Sequence, residues 1–207
     1  MATLRFSFGT MNSGKSTLAL QLHHSHSAEG RSVLLLTRHD RDGARVTSRV
    51  GLSAPALVVD DGMDLYALVR ERLVVGEVVD VVICDEAQFY RPEHVDQLGR
   101  VVDELDIDVH AFGLLADFTS HLFPGSKRFL ELADVRQEIQ LDALCWCGRR
   151  GTQNARTVDG EIVYTGEQVV VDDGNSVAYE VLCRAHWRAG VTRATADARP
   201  DLEVVTG

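Results

Sequence analysis

The strongest constraint in this sequence is a motif near the amino terminus, G-x-x-x-x-G-K-S, which reads Gly9-Thr10-Met11-Asn12-Ser13-Gly14-Lys15-Ser16. An alternating apolar run at residues 4–8 precedes the motif, and good helix formers follow at 16–29. The motif therefore falls on a strand-to-helix turn, where backbone N–H groups and a helix amino terminus can hold phosphates. We expect all eight residues to bind a nucleoside triphosphate, with Lys15 at the β- and γ-phosphates and the Ser16 hydroxyl on Mg²⁺.

The choice of cation supports this interpretation over a chance glycine-rich turn. The chain has 21 lysines and arginines, and only Lys15 and Lys127 are lysines. A compact ammonium group fits among phosphate oxygens where a planar guanidinium does not. A lysine at this position of an arginine-rich chain therefore favours phosphate binding.

A second functional feature is a buried-type strand at residues 78–84 that ends in Asp85 and Glu86. In an open parallel sheet, ligands bind at the carboxyl ends of the strands. We expect Asp85 to hold Mg²⁺ and Glu86 to accept a proton from an attacking hydroxyl or water. The alternative, a strand that simply runs into an acidic loop, is disfavoured by the phosphate-binding motif upstream.

The pattern of elements indicates an α/β fold. Apolar runs typical of strands lie at 4–8, 32–37, 78–84, 108–115 and 135–141, and helical patterns lie at 16–29, 64–75, 93–105 and 126–133. Residues 38–56 read as a loop. This alternation predicts a mostly parallel, RecA-like P-loop sheet flanked by helices. We expect a nucleotide-binding domain at 1–141, a small second domain at 142–190 and a disordered tail at 191–207.

The cysteines predict a metal site in the second domain. Cys84 is expected to be a small buried apolar residue. The others form C-x-C, a gap of 35 residues and C-x-x-H, with ligands Cys145, Cys147, Cys183 and His186. Three thiolates and an imidazole suit a closed, structural Zn²⁺ site, whereas free core thiols or a disulfide are the alternatives.

Composition limits the classes of partner. The net charge of −10 argues against a nucleic-acid-binding protein, which usually carries a basic field. No apolar run approaches the ~20 residues of a membrane helix, and no signal peptide precedes the first strand. We therefore expect a cytoplasmic protein with no nucleic-acid or membrane partner, in which a disulfide is disfavoured.

Taken together, these stretches resemble thymidine kinase of the type II family, the bacterial branch in particular. The phosphate-binding motif is followed in the family's order by the segments Asp40-Arg41, 48–53, 85–89, 113–125, 144–149 and 179–187. The resemblance covers residues 4 to about 188 and implies transfer of a phosphoryl group from ATP to the 5′-hydroxyl of thymidine, a step of nucleotide salvage. It also implies a tetramer and inhibition by the end product dTTP.

The resemblance assigns roles to individual residues. Glu86 would be the general base on the 5′-hydroxyl, Gln88 would lie at the ATP-binding edge, and Arg41 or Arg49 would clamp phosphate or donor oxygens. A mobile "lasso" loop, here roughly 156–180 and including Gly166, would close over the thymine. The remaining residues implied to bind the nucleoside are Met11, Phe89, Leu114, Phe118, Asn154 and Tyr179.

Two rival functions remain open from the sequence. One is a RecA-like P-loop ATPase with a zinc-bearing partner-binding module. Such an ATPase would require a basic strip on its surface and an arginine finger. The other is a non-enzymatic nucleotide sensor. The pair of acids favours an enzyme, because one carboxylate can bind the metal while the other remains available as a base.

Overall fold

The computed structural model describes residues 1–38, 44–139, 143–168 and 177–196. The chain divides into two compact units. Unit 1 comprises Met1–Gly9, Ser13–Leu115 and Leu122–Leu141, and unit 2 comprises Thr10–Asn12, Ala116–His121 and Asp142–Gly207.

Unit 1 contains a central sheet and four helices. In chain order its elements are β1 (Leu4–Gly9), α1 (Lys15–Ala28), β2 (Val33–Thr37), β3 (Arg45–Thr47), β4 (Ser53–Pro55), β5 (Leu57–Val58), α2 (Leu65–Val74), β6 (Val81–Cys84), α3 (Pro92–Leu105), β7 (Asp108–Leu114), α4 (Pro124–Leu132) and β8 (Val135–Glu138). The six-stranded sheet has the order β5-β2-β6-β7-β1-β8, and every neighbouring pair is parallel. The predicted parallel α/β fold is therefore confirmed.

Both faces of the sheet are covered, which explains why the central strands β2 and β6 are continuous apolar runs instead of alternating ones. In β6, Val82 and Cys84 pack with α2, α3 and α4, whereas Val81 and Ile83 pack with α1. Cys84 is fully buried, as expected, and burial raises the pKa of its thiol to about 12. Since side chains alternate along a strand, the position after Cys84 falls on the side of α1.

The expectation that residues 38–56 form a loop is wrong for the described part of that segment. Strands β3 and β4 pair antiparallel there, and β5 joins the edge of the central sheet beside β2. Strands of two or three residues are too short to show a hydrophobic period, so only tertiary pairing defines them. The segment's Asp40 and Arg41 lie outside the described residues.

Unit 2 is built on a small antiparallel sheet of β9 (Gln153–Val158), β10 (Glu161–Val163) and β11 (Val177–Leu182), in the order β10-β9-β11. Two short helices follow, α5 (Arg184–Ala189) and α6 (Arg193–Ala196). Among its described residues, one small cluster of buried apolar side chains contains Cys145, Ala155, Leu182 and Cys183, with partly buried neighbours that include both tryptophans. The sequence predicts a disordered tail from residue 191 onward. In the structure, Val191 and Thr192 are buried and α6 follows them, so the folded structure extends to Ala196.

Within the described residues, none of the helices has the length and apolar content needed to cross a bilayer.

The start of α2 provides a test of local stability. Asp64 has extended backbone geometry and its carboxylate accepts a hydrogen bond of 2.9 Å from the N–H of Ala67, which makes it the N-cap of the helix. Asp64→Ala removes this acceptor and should lower the free energy of unfolding by about 1 kcal/mol, whereas Asp64→Asn should retain most of it. Denaturant unfolding of both variants checks this, and equal losses in the two would contradict the capping role.

Candidate active site

The turn between β1 and α1 has the backbone geometry of a phosphate cradle. Asn12 and Gly14 adopt left-handed conformations, with φ of 64° and 78°. A Cβ on Gly9 would collide with the hydroxyl of Ser13, so a glycine is required at that position. Lys15, the first residue of α1, directs its Nζ to within 3.5 Å of the Ser13 Oγ.

Acidic side chains from the end of β6 lie beside Lys15 and Ser16, within unit 1. The Ser16 hydroxyl donates a hydrogen bond to the carboxylate of Asp85. Burial lowers the pKa of Lys15, while the charges of Glu86 and Asp85 act to raise it. The structure therefore brings Lys15, Ser16, Asp85 and Glu86 together, as the sequence predicted.

The electrostatics of Asp85 follow from its position. Its side chain is buried, and this burial, together with the neighbouring charge of Glu86, raises the pKa of its carboxyl to about 7. The hydrogen bond from Ser16 and the charge of Lys15 act in the opposite direction. A cation bound here would stabilise the ionised form, because an opposite charge favours the charged state of an acid.

Glu86 is held in an uncommon conformation at the carboxyl end of β6. Its φ of 50° and ψ of 36° lie in the left-handed region, which a non-glycine residue adopts at a cost of about 1–3 kcal/mol. A short 3₁₀ helix, Ala87–Phe89, follows directly. The Gln88 side chain donates a 2.5 Å hydrogen bond to Glu86 Oε2 and is itself buried.

One of the two candidate phosphate-clamping arginines can be placed. Arg49 follows the buried Ser48 in the turn between β3 and β4, and its charge lowers the pKa of Lys15. The guanidinium therefore acts electrostatically on the lysine of the phosphate loop. Arg41, the other candidate, lies outside the described residues.

The predicted nucleoside-binding residues are distributed over both units. Phe89 and Leu114 belong to unit 1, where the Phe89 ring contacts Phe123 edge to face at 5.5 Å. In unit 2, the amide of Asn154 accepts a 2.8 Å hydrogen bond from the N–H of Met11 and donates a 3.0 Å one to the carbonyl of Ala116.

The four predicted metal ligands converge in unit 2. One donor atom from each of Cys145, Cys147, Cys183 and His186 lies within 4.8 Å of all the others. The Cys145 Sγ and His186 Nδ1 are 3.3 Å apart, close to the ~3.5–3.8 Å edge of a tetrahedron with zinc–sulfur and zinc–nitrogen bonds of about 2.3 and 2.1 Å. Trp146 stacks on the His186 ring at 4.2 Å. The donor set and its spacing therefore fit Zn²⁺.

Comparison with known proteins decides the family. The family model described as Thymidine kinase matches residues 2–187. The chain belongs to the thymidine kinase family. It is 56% identical to a thymidine kinase of Cutibacterium acnes over 93% of this chain and 91% of that protein. It is also 53% identical to one from Streptomyces coelicolor, over 100% of this chain and 99% of that protein.

Arg156, to which no sequence motif assigned an individual role, is central to unit 2 of this thymidine kinase family member. The buried guanidinium lies 3.8 Å from the centre of the Phe118 ring. Its Nε donates to the Tyr179 hydroxyl and its Nη2 to the carbonyl of Gln168, both at 3.0 Å. Arg156 thus contacts two aromatic side chains, Phe118 and Tyr179, that the resemblance implies bind the nucleoside.

Asp117 is a second residue without a role in the sequence analysis. It accepts hydrogen bonds from the backbone N–H groups of Thr119 and His121 and a 2.9 Å bond from the Gln168 amide. Burial acts to raise the pKa of Asp117, but these hydrogen bonds and that of the Thr119 hydroxyl outweigh it and lower the pKa. Aspartate side chains often accept a hydrogen bond from the backbone N–H two residues on, as Asp117 does from Thr119, so an aspartate in a turn is the signal that could have identified this anchor.

The raised pKa of Asp85 predicts a pH effect on stability. A carboxyl whose pKa is higher in the folded than in the unfolded state contributes stability below its unfolded pKa and loses it as pH rises through the folded value of about 7. In nucleotide- and magnesium-free buffer, Asp85→Asn should therefore become more stable relative to the wild type as pH increases from 4 to 8. Unfolding curves across this range measure the difference, and a gap that is constant with pH contradicts the prediction.

Proposed function

We propose that this protein is an ATP-dependent thymidine kinase, which transfers the γ-phosphoryl group of ATP to the 5′-hydroxyl of thymidine and yields dTMP and ADP. The family match over residues 2–187 carries the proposal. The charges gathered around the phosphate loop in unit 1 agree with it, since phosphoryl transfer depends on positioning and charge neutralisation.

On the nucleotide side, the turn from Gly9 to Ser16 is proposed to hold the triphosphate. Lys15 would neutralise the transferring phosphate, and the Ser16 hydroxyl with the Asp85 carboxylate would bind Mg²⁺. The hydrogen bond between Ser16 and Asp85 already brings two oxygen ligands together, and oxygen is the donor that Mg²⁺ prefers. When bound, Mg²⁺ would supply positive charge that offsets the negative charge developing on the phosphates.

On the acceptor side, Glu86 is proposed as the general base. It would accept the proton of the 5′-hydroxyl as the oxygen attacks the γ-phosphorus and the bond to the β-phosphate oxygen breaks. The electrostatic interaction between Glu86 and Lys15 supports this role, because it places the carboxylate beside the phosphate-binding lysine. Asp85, deeper and bonded to Ser16, is better suited to the metal.

The nucleoside-binding roles of Met11, Arg41, Phe89, Leu114, Phe118, Asn154, Gly166 and Tyr179 stay predictions from the family resemblance. Support for unit 2 comes from the contacts of Arg156, which orient Phe118 and Tyr179. The loop predicted to close over the base includes residues 169–176, which lie outside the described residues.

We also propose that Cys145, Cys147, Cys183 and His186 bind a structural Zn²⁺. The small apolar core of unit 2 supports this role, since a domain with so little buried surface usually needs a metal or a cross-link. Inhibition by dTTP, a tetrameric assembly and a cytoplasmic location stay predictions.

The activity is tested with purified protein, ATP, Mg²⁺ and a panel of nucleosides. Thymidine should be converted to dTMP, and Glu86→Gln should retain ATP binding while kcat falls about 10²- to 10⁴-fold, the usual contribution of a general base. The panel also measures preference over deoxyuridine. ATP hydrolysis that single-stranded DNA stimulates and thymidine leaves unchanged would instead support the RecA-like ATPase.

The metal is tested by elemental analysis of the purified protein. We expect about one zinc per chain, as a closed four-ligand site binds one ion. Cys145→Ser should lose the zinc and unfold at lower temperature, whereas Cys84→Ala, which alters the cysteine outside the cluster, should retain it. Active wild-type protein that contains no zinc contradicts the proposed site.

A further inference from the structure

Gln88 occupies a different position from the one that its predicted role requires. The family resemblance places it at the ATP-binding edge, but its side chain is only 1% exposed. Both ends of its amide are engaged inside unit 1. Its Oε1 accepts a 2.9 Å hydrogen bond from the N–H of Leu114, and its Nε2 donates a 2.5 Å bond to Glu86 Oε2.

The direction of these two hydrogen bonds is fixed by chemistry. A backbone N–H can only donate, so the atom facing Leu114 N is the amide oxygen, and the amide nitrogen must face Glu86. An ionised carboxylate can only accept, which fits this arrangement. The carbonyl of Leu114, in the next peptide group, accepts a 2.6 Å hydrogen bond from Ser126, so the main chain is held on both sides of the Leu114 Cα.

The backbone around Gln88 is equally constrained by two glycines. A Cβ on Gly113 in β7 would lie 2.9 Å from Gln88 N and 3.0 Å from Gln88 Oε1. A Cβ on Gly125 in α4 would lie 3.0 Å from the carbonyl oxygen of Gln88 and collide with that of Tyr90. Gln88 can therefore approach both elements only because each presents a glycine.

These contacts account for the conformation of Glu86. A glutamate in the left-handed region persists only where its surroundings hold it there. The N–H of Phe89 donates to the Glu86 carbonyl at 3.1 Å, and the Gln88 amide holds the carboxylate of the same residue. Main chain and side chain of Glu86 are thus fixed by the same short turn.

We propose that Gln88 is a positioning residue for the catalytic base and that it does not bind ATP. The backbone N–H of Leu114 holds the Gln88 amide, and the amide in turn holds the carboxylate of Glu86. This inference rests on the proposed function, in which Glu86 accepts the proton of the 5′-hydroxyl. A misplacement of about 1 Å at a reacting group can reduce the rate about 10²-fold, so a single hydrogen bond at this position matters for turnover.

The kinetic test compares Gln88→Met, which keeps the side-chain length and removes both hydrogen bonds, with the wild type. We expect kcat for thymidine phosphorylation to fall about 10- to 100-fold, with KM for ATP and for thymidine changed less than about twofold. Gln88→Glu keeps an oxygen that accepts the hydrogen bond from Leu114, but it replaces the amide nitrogen that donates to Glu86 with a second oxygen. This variant should therefore lower kcat while the fold is kept. A raised KM for ATP with an unchanged kcat would overturn the proposal.

Gln97→Met is the matched control. The Gln97 side chain also accepts a 2.9 Å hydrogen bond from a backbone N–H, that of Leu65 at the start of α2. If Gln88 were only structural, both methionine variants would lower the melting temperature and leave kcat unchanged. We expect a loss of kcat in Gln88→Met alone.

A double-mutant cycle with Glu86→Gln separates this inference from the proposed function. If Gln88 acts through Glu86, adding Gln88→Met to Glu86→Gln should slow turnover by less than about twofold further. The same four proteins should show non-additive unfolding free energies, which tests the contact independently of activity. Independent effects in both cycles refute the inference, whereas a wild type without thymidine phosphorylation refutes the proposed function.

Discussion

The structure of unit 1 depends on the burial of an acid beside the phosphate loop. Asp85 is removed from water at the end of β6, and the Ser16 hydroxyl and the Lys15 ammonium offset part of the cost of its burial. Such an arrangement forms only if β1 and β6 run in the same direction, with β7 between them, so that their carboxyl ends share one edge. The parallel sheet therefore creates the site, and the helices on both faces stabilise that sheet.

The two acids at this edge differ in environment, and that difference supports the separate roles proposed for them. Asp85 is buried with a raised pKa and a bond to Ser16, which suits a metal ligand that becomes ionised when a cation binds. Glu86 is more exposed and is held by Gln88 in a left-handed conformation. Adjacent carboxylates can thus serve as metal ligand and base because the chain leaves β6 just before Asp85 and turns sharply at Glu86, which gives the two side chains different surroundings.

Unit 2 differs from unit 1 in how it is stabilised, since its described residues form only a small buried apolar cluster. Its stability is expected to come from the three cysteines and one histidine that converge there, together with a network of polar contacts. Arg156 is central to this network, with its guanidinium on Phe118 and its donors on Tyr179 and Gln168. A buried cation can be held by ring faces and carbonyl oxygens, and in this way Arg156 connects Phe118, Tyr179 and Gln168.

The sequence by itself determined the elements whose signals are local. The glycine spacing of residues 9–16, the apolar run before Asp85 and the cysteine pattern each predicted their structure, because backbone freedom, burial on two faces and ligand chemistry depend on residue type. Only the tertiary structure decided the short strands β3, β4 and β5, the stacking of Arg156 and the hydrogen bonds of Gln88. These depend on partners distant in the chain, such as Leu114 for Gln88, and no local period or spacing encodes which partner a buried amide will meet.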